Sequence, residues 1–211
     1  AGKTGEWRDG IGRLLTAELP SAAAQLLAPY LDVVRATNAR LGCTAGEPRF
    51  YPGSPLIARE LMRADDMLIA NELHPEDAQA LRQALGGAPA SKVMTLNAWT
   101  ALQSLLPPKE RRGVILIDPP FEAADEFEAL GSALRAALER FATGTYLVWY
   151  PIKDSARAAA FVSGVRDFAP KTLDVRHAVS VKTAGLGLAA SGVLRVNPPF
   201  TLASELETLL P

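Results

Sequence analysis

The order of hydrophobic and polar positions along the chain predicts strands that alternate with helices. Apolar runs typical of strands lie at residues 67–73, 91–96, 113–117, 145–151, 174–181 and 192–196. Apolar side chains at helical spacing lie between most of these runs, and two further helices precede the first strand. This order predicts a doubly wound α/β fold whose last two strands form a hairpin.

The length and composition predict one globular domain. We expect residues 1–46 to form a helical insertion or subdomain and residues 47–211 to form the α/β part. The chain has 22 Lys and Arg against 23 Asp and Glu, so a contact with a polyanion has to come from local patches. A single cysteine, Cys43, excludes an internal disulfide and cannot form a zinc site alone. With no run of 18 apolar residues, we expect a cytoplasmic protein without a membrane contact. We also expect no metal site.

Residues 113–122 predict a buried strand that runs into a catalytic loop. Four aliphatic residues lead directly into Asp118, Pro119, Pro120 and Phe121. Ligands of open α/β sheets bind at the carboxyl ends of the strands, which is where Asp118 lies. The two prolines fix φ and remove two backbone donors, so the loop is rigid.

Asp-Pro-Pro-Phe is the Asp/Asn-Pro-Pro-aromatic signature of methyltransferases that act on exocyclic amines. The nitrogen of such an amine has a delocalised lone pair. Asp118 and the Pro119 carbonyl can accept hydrogen bonds from its two N–H groups and so aim the nitrogen at a methyl donor. Phe121 can stack on the base. The alternative interpretation of the four residues is a rigid strand-to-helix turn.

A second match to the signature occurs at residues 197–200, Asn-Pro-Pro-Phe. It follows the last predicted strand, whereas Asp118 follows a strand in the middle of the chain. We therefore assign the chemistry to Asp118 and predict a structural role for Asn197.

Three further polar positions lie at predicted helix starts or strand ends. Ser54 precedes a helix with Pro55 in its first turn, and we predict it as the N-cap or as a ligand of a carboxylate or hydroxyl. Glu72 ends a strand, where an acidic residue often binds a ribose diol. Asn97 can bond an adenine edge or cap the next helix. We expect Ser54, Glu72, Asn97 and Asp118 to converge at one edge of the sheet.

Seven blocks of sequence closely resemble the RlmJ family, bacterial 23S ribosomal RNA adenine-N6 methyltransferases that use S-adenosylmethionine. The blocks are residues 50–59, 71–75, 111–122, 140–144, 149–151, 190–192 and 197–199. The Tyr-Pro-Gly-Ser-Pro and Glu-Leu-His-Pro segments within them are the most specific. The resemblance implies a Rossmann-like class I methyltransferase fold, cofactor positions at Ser54, Glu72, Asn97 and Ala98, and a catalytic Asp118.

Two departures from the family pattern change what we expect. Asn97 and Ala98 stand where the family usually has Asp-Gly, which weakens their assignment to the cofactor. Nothing in the chain matches the family's N-terminal segment, whose glycine loop binds the cofactor, so we expect this segment to be absent. Its strand should lie between the strands that end at Glu72 and Asp118, and the chain alone should bind S-adenosylmethionine weakly or not at all.

The resemblance implies a monomer that acts on 23S rRNA and not on the assembled ribosome. Two alternatives to adenine-N6 methylation of rRNA stay open. The Pro-Pro loop does not name the base, so the substrate could be DNA adenine or guanine N2 of rRNA. A catalytically incomplete fragment that binds RNA is the alternative without enzyme activity.

Overall fold

The computed structural model describes residues 10–43, 49–88, 90–121, 125–178 and 190–210. Its contacts divide the chain into two compact units. Unit 1 comprises Ala1–Thr95 and Ser204–Pro211, and unit 2 comprises Leu96–Ala203.

Unit 1 is built from helices and two short parallel strands. Its elements from residue 10 to residue 95 are α1 (Ile11–Thr16), α2 (Ser21–Arg40), α3 (Ser54–Leu61), β1 (Leu68–Asn71), α4 (Pro75–Ala84) and β2 (Ser91–Met94). Strands β1 and β2 pair in parallel, with Leu68 opposite Ser91 and Asn71 opposite Met94. Helix α4 makes the crossover between them, so β1, α4 and β2 form a βαβ unit.

A buried asparagine of α2 holds the loop that leads to α3. The Oδ1 atom of Asn38 accepts hydrogen bonds from the backbone N–H groups of Arg49 and Phe50, at 2.8 and 3.0 Å. Its Nδ2 donates to the carbonyl oxygens of Phe50 and Val34, at 2.7 and 2.9 Å. All four of its hydrogen bonds go to backbone, so Asn38 can be buried without an unsatisfied polar atom.

Unit 2 contains a mixed four-stranded sheet. Its elements are α5 (Ala98–Leu105), β3 (Val114–Ile117), α6 (Glu126–Arg140), β4 (Thr145–Pro151), α7 (Ser155–Phe168), β5 (Thr172–Ala178) and β6 (Ala190–Val196); α8 (Leu202–Leu209) follows β6. The strand order is β3-β4-β6-β5. Strands β3 and β4 are parallel, whereas β6 is antiparallel to both of its neighbours.

Helices α6 and α7 cover one face of this sheet with a continuous apolar core. The core side chains that are completely buried include Leu130, Leu134, Tyr146, Val148, Tyr150 and Leu194. Burying one such aliphatic or aromatic side chain stabilises a fold by about 1.5–3 kcal/mol. Gly192 lies opposite Tyr150 in the sheet, and a Cβ atom there would overlap with the Tyr150 ring. A glycine is therefore required at this position for the aromatic ring to lie over the strand.

The environment of β3 differs from the predicted buried strand. Among the described residues β3 is an edge strand that pairs with β4 alone. Val114 and Leu116 are 69% and 50% exposed, whereas Ile117 is buried in the core. Successive side chains of a strand point to opposite faces, and the core formed with α6 and α7 takes only every second one.

The predicted alternation of strands and helices is confirmed, with boundaries that differ by a few residues. The antiparallel pair β5 and β6 forms the predicted hairpin-like finish. The end of the predicted strand at residues 174–181 lies outside the described residues, and the predicted domain boundary at residue 46 stays a prediction. Within the described ranges, no helix is both long and apolar enough to span a membrane.

Candidate active site

The Asp-Pro-Pro-Phe loop begins directly after β3 in unit 2. Ile117, the last residue of the strand, is 5% exposed and contributes to the core. Pro119 is buried as well, whereas Asp118 and Pro120 are open to solvent. The loop is thus anchored on both sides of Asp118, and two proline rings fix its backbone.

Asp118 presents a carboxylate that is not committed to the fold. Within the part of the chain that the structure describes, its carboxyl has no hydrogen-bond or ion-pair partner. The protein atoms around it partly desolvate the carboxyl, and this raises the pKa of Asp118 above its ordinary value of 3.8. A carboxylate that is free to accept hydrogen bonds at the carboxyl end of a strand suits a ligand that donates N–H groups.

Phe121, at the carboxyl end of the loop, has a strained backbone conformation. Its φ of 52° lies in the left-handed region, which is rare for an aromatic residue. The ring compensates by packing in an aromatic cluster, 5.0 Å from the Phe127 ring and 6.0 Å from the Trp149 ring between centroids. Strained residues that the surrounding structure holds in place occur often at functional sites.

Asn97 lies at the start of α5, also in unit 2. Its Oδ1 accepts a hydrogen bond from the Trp99 backbone N–H at 3.0 Å, so Asn97 is the N-cap of this helix. The sequence alternative of a cap is thus confirmed, and the Nδ2 group stays available as a donor. Trp99 packs against the same core as Ile117 and Phe121. Asn97 precedes α5 and Asp118 follows β3, and both of these elements pack against this core. Ala98, beside Asn97, is exposed.

Ser54 and Glu72 lie on adjacent elements of unit 1. Helix α3 contacts β1, and Arg59 of α3 fixes the connection by donating to the carbonyl oxygens of Arg63 and Asp66. Glu72 extends β1 by donating its N–H to the Met94 carbonyl at 3.1 Å. One of its carboxylate oxygens, Oε1, accepts from the His74 N–H at 2.9 Å.

The predicted N-cap of α3 was one residue too late. The helix begins at Ser54, and Gly53 is in the N-cap position. The Gly53 carbonyl accepts hydrogen bonds from the N–H groups of Leu56 and Ile57, as the residue before a helix does. Among the described residues the Ser54 hydroxyl has no hydrogen-bond partner, so it can bind a ligand.

Asn197 of the second Pro-Pro loop has its side-chain amide nitrogen engaged in hydrogen bonds. Its Nδ2 donates to the carbonyl oxygens of Ala142 and Gly144, at 2.9 and 2.8 Å. In return, the Thr145 hydroxyl donates to the Asn197 carbonyl at 3.0 Å. These contacts tie the end of β6 to the turn before β4.

Strand direction separates the two Pro-Pro loops. Strand β6 is antiparallel to β4, and its Val196 pairs with Tyr146 near the beginning of β4. Strand β3 is parallel to β4, and its Ile117 pairs with Val148. Asn197 therefore lies at the edge of the sheet where β3 and β4 begin, and Asp118 lies at the opposite edge.

Comparison with known proteins places this geometry in a family. A family model described as ribosomal RNA large subunit methyltransferase D, RlmJ, matches residues 1–211, the whole chain. The chain belongs to this family.

Individual members of the RlmJ family support the assignment. The chain is 37% identical over 211 residues to ribosomal RNA large subunit methyltransferase J of Haemophilus influenzae, with 99% of this chain and 72% of that protein covered. It is 36% identical over 217 residues to the Escherichia coli protein of the same name, with 100% and 73% covered. The crystal structure of protein LPL1258 from Legionella pneumophila matches with a TM-score of 0.88 and 30% identity, over 99% of this chain and 75% of that one.

These findings confirm the predicted RlmJ family, the Rossmann-like methyltransferase fold and the assignment as an enzyme. As a member of a methyltransferase family, the protein requires a methyl donor. The roles of Asp118, Pro119, Phe121 and the four cofactor positions stay predictions, as does their convergence at one edge.

Sequence reasoning missed the residues that support the loop from a distance. Phe127 and Trp149 hold the Phe121 ring, and Asn38 holds the loop before α3. The hydrophobic pattern placed Phe127 in a helix and Trp149 in a strand. It did not predict that both rings contact Phe121. An asparagine in the last turn of a helix with an apolar face was the one available signal for Asn38.

Proposed function

We propose that the protein transfers a methyl group from S-adenosylmethionine to the exocyclic N6 of an adenine in 23S rRNA. The observation that carries the proposal is the uncommitted, partly desolvated carboxyl of Asp118 on a rigid loop at the carboxyl end of β3. Membership of the RlmJ family and the names of its relatives support rRNA as the substrate.

The chemistry that the loop performs is the positioning of a weak nucleophile. The Asp118 carboxylate and the Pro119 carbonyl accept hydrogen bonds from the two N–H groups of the adenine amine and fix its direction. Phe121, half-buried and packed against Phe127 and Trp149, offers the remaining surface of its ring to the base. The target nucleotide has to leave its stack to reach this loop.

Each predicted cofactor position, taken by itself, offers a group of the kind that binds part of S-adenosylmethionine. In unit 1, Glu72 retains one carboxylate oxygen for a ribose diol, and the Ser54 hydroxyl is available to a carboxylate. In unit 2, the Asn97 amide has a donor for an adenine edge, beside the exposed Ala98. When bound, S-adenosylmethionine supplies the electrophilic methyl group.

We extend the proposal to the state of the substrate and of the enzyme. The protein acts in the cytoplasm, as a monomer, on 23S rRNA and not on the assembled ribosome. A base that must leave its stack is more accessible in free RNA than in RNA packed against ribosomal proteins.

The test is methylation of unmodified 23S rRNA by the protein extended with the family's N-terminal segment, followed by mass spectrometry of the digested nucleosides. We expect N6-methyladenosine to appear with free rRNA and to be much reduced with assembled subunits. Formation of N2-methylguanosine, or methylation of DNA adenine alone, would show that the loop receives another base or another nucleic acid.

A further inference from the structure

An open groove of about 440 Å³ runs between α6 and α7 of unit 2, and none of the roles above uses it. Phe127 and Phe168 supply half-buried aromatic surface to its walls, and the buried Phe161 also lies in the lining. Arg135 and Arg157 supply positive charge, and the carboxylate of Glu128 lines the groove as well. Aromatic rings beside cationic groups are the usual components of sites that bind single-stranded nucleic acid.

Two glycines in the interior of these helices keep the groove open. Gly131 of α6 and Gly164 of α7 both line it, and a Cβ atom added at either position would meet no atom within 4 Å. Packing therefore does not require glycine at these two positions. A glycine inside a helix is less favourable than alanine. The groove is thus kept wide at the expense of helix stability.

The guanidinium group of Arg135 is oriented but not neutralised. It lies over the Phe168 ring, with Cζ 4.1 Å from the centroid, which holds it flat against the aromatic surface. No hydrogen bond or ion pair of Arg135 occurs within the described ranges of the chain. Its N–H donors can therefore bind an anion, and its outer face can stack on a base.

The second arginine marks the end of the groove near the amino termini of both helices. Arg157 is 3.7 Å from the Glu128 carboxylate, and its Cζ lies 5.7 Å from the Phe127 centroid. Phe127 also contacts Phe121, with 5.0 Å between ring centroids. The groove thus begins at the aromatic cluster that supports the Asp118 loop.

We infer that this groove binds a single-stranded segment of the substrate RNA next to the target nucleotide. The phosphate binds Arg135, and the bases stack on the arginine and phenylalanine surfaces. The inference rests on the proposed function, because it takes the occupant from that substrate. An acidic peptide would also satisfy the arginines, but it would leave the stacking surfaces without aromatic partners.

The first experiment measures binding of a short fluorescein-labelled single-stranded RNA to the protein by anisotropy, with a duplex of the same length for comparison. We expect the single strand to bind more tightly than the duplex. Arg135→Gln should weaken single-strand binding about tenfold, because one phosphate contact and one stacking surface are lost. The slope of log K against log salt should become shallower by about 0.7, the value for one phosphate of a single strand.

Arg166→Gln is the matched control. Arg166 is an exposed arginine of α7 that does not line the groove, and its substitution removes the same charge. Its affinity should stay within about twofold of the unmodified protein, since general electrostatic attraction changes equally in both variants. Equal affinities of the two variants would overturn the inference and leave the groove to another partner or to solvent.

A second pair of variants tests the open space itself. Gly164→Leu should fill the groove and weaken RNA binding, whereas Gly164→Ala should leave binding nearly unchanged. Gly164→Ala should keep or raise the midpoint of thermal unfolding, because the Cβ position is unobstructed and alanine favours helix, and the same measurement establishes that Gly164→Leu is folded. Tight RNA binding by a folded Gly164→Leu variant would contradict a role for the groove.

The inference can fail separately from the proposed function. Asp118→Ala should abolish methylation while the single strand still binds more tightly than the duplex. Arg135→Gln should raise KM for rRNA with little change in kcat. If the protein forms no N6-methyladenosine but Arg135→Gln still weakens RNA binding, the reaction is wrong and the groove is right.

Discussion

Residues 118–121 and 197–200 have nearly the same sequence and opposite environments. Asp118 has no partner within the described part of the chain, whereas the amide of Asn197 holds the turn before β4 with two hydrogen bonds. Phe121 packs against two aromatic rings, whereas Phe200 is 96% exposed. The Asp-Pro-Pro-Phe loop thus keeps a functional group free and anchors its aromatic ring, and the Asn-Pro-Pro-Phe loop does the reverse.

This comparison shows that a short motif acquires its role from the strand that presents it. Both loops follow a strand of the same sheet, but β3 is parallel to β4 and β6 is antiparallel to it. Only the Asp118 loop therefore lies at the carboxyl ends of the parallel strands, where α/β sheets bind ligands. Proline rigidity is common to both loops and does not distinguish them.

The largest expected effect comes from removing the Asp118 carboxylate. In an enzyme that carries the family's N-terminal segment, Asp118→Ala should lower the rate of methyl transfer at least about 100-fold, because the amine loses the acceptor that fixes its direction. Folding and cofactor affinity should change little, since the side chain supports no other residue among those described. Asp118→Asn should retain part of the activity, because an amide oxygen also accepts a hydrogen bond. Methylation rates and calorimetric cofactor titration measure the two effects. Full activity of Asp118→Ala would show that the assignment of the chemistry to the Asp118 loop is wrong.

Asn197→Ala should show the opposite behaviour. Two carbonyl groups lose their donor, and alanine is less suited than asparagine to the φ of 52° at this position. The free energy of unfolding should fall by about 2 kcal/mol. Chemical denaturation measures this change, and the activity of the folded fraction should be unchanged. Asn197→Gly, which accommodates the same φ, isolates the part due to the hydrogen bonds; selective loss of catalysis in either folded variant would contradict the structural role.

The two phenylalanines allow a direct comparison of stability. Phe121→Ala should destabilise the protein by about 1.5 kcal/mol, because its ring loses the contacts with Phe127 and Trp149. Phe200→Ala should stay within about 0.5 kcal/mol of the unmodified protein, since the ring is almost fully exposed. Denaturation of both variants under the same conditions is the measurement. A larger effect for Phe200 would mean that its ring is covered in solution.

The smallest effect concerns the dependence of stability on pH. The folded protein holds the proton of Asp118 more tightly than the unfolded chain does, because partial desolvation raises the pKa above 3.8. The contribution of Asp118 to stability is therefore lost as the pH rises from 3.8 through the raised pKa. Asp118→Asn should be slightly more stable than the unmodified protein at neutral pH, and the difference should vanish below pH 3.8. Denaturation curves at several pH values test this, and a constant difference across the range would refute it.

The sequence by itself determined the element order and the family. Apolar runs and helical spacing follow from local chain geometry, so they located every described strand to within a few residues. The blocks around Ser54, Glu72 and Asp118 carried the family resemblance, and the match of the family model over residues 1–211 confirmed it. The choice of Asp118 over Asn197 could be argued from chain position alone.

The tertiary structure alone decided which polar groups are free and which are engaged. Asn197 contacts carbonyl groups more than 50 positions away in the chain, and Phe121 meets Trp149 of another strand. The exposed face of β3, the buried Asn38 and the groove between α6 and α7 likewise depend on contacts between distant segments. Local patterns cannot encode such contacts, because periodicity specifies the face that a side chain occupies and not the partner that it meets.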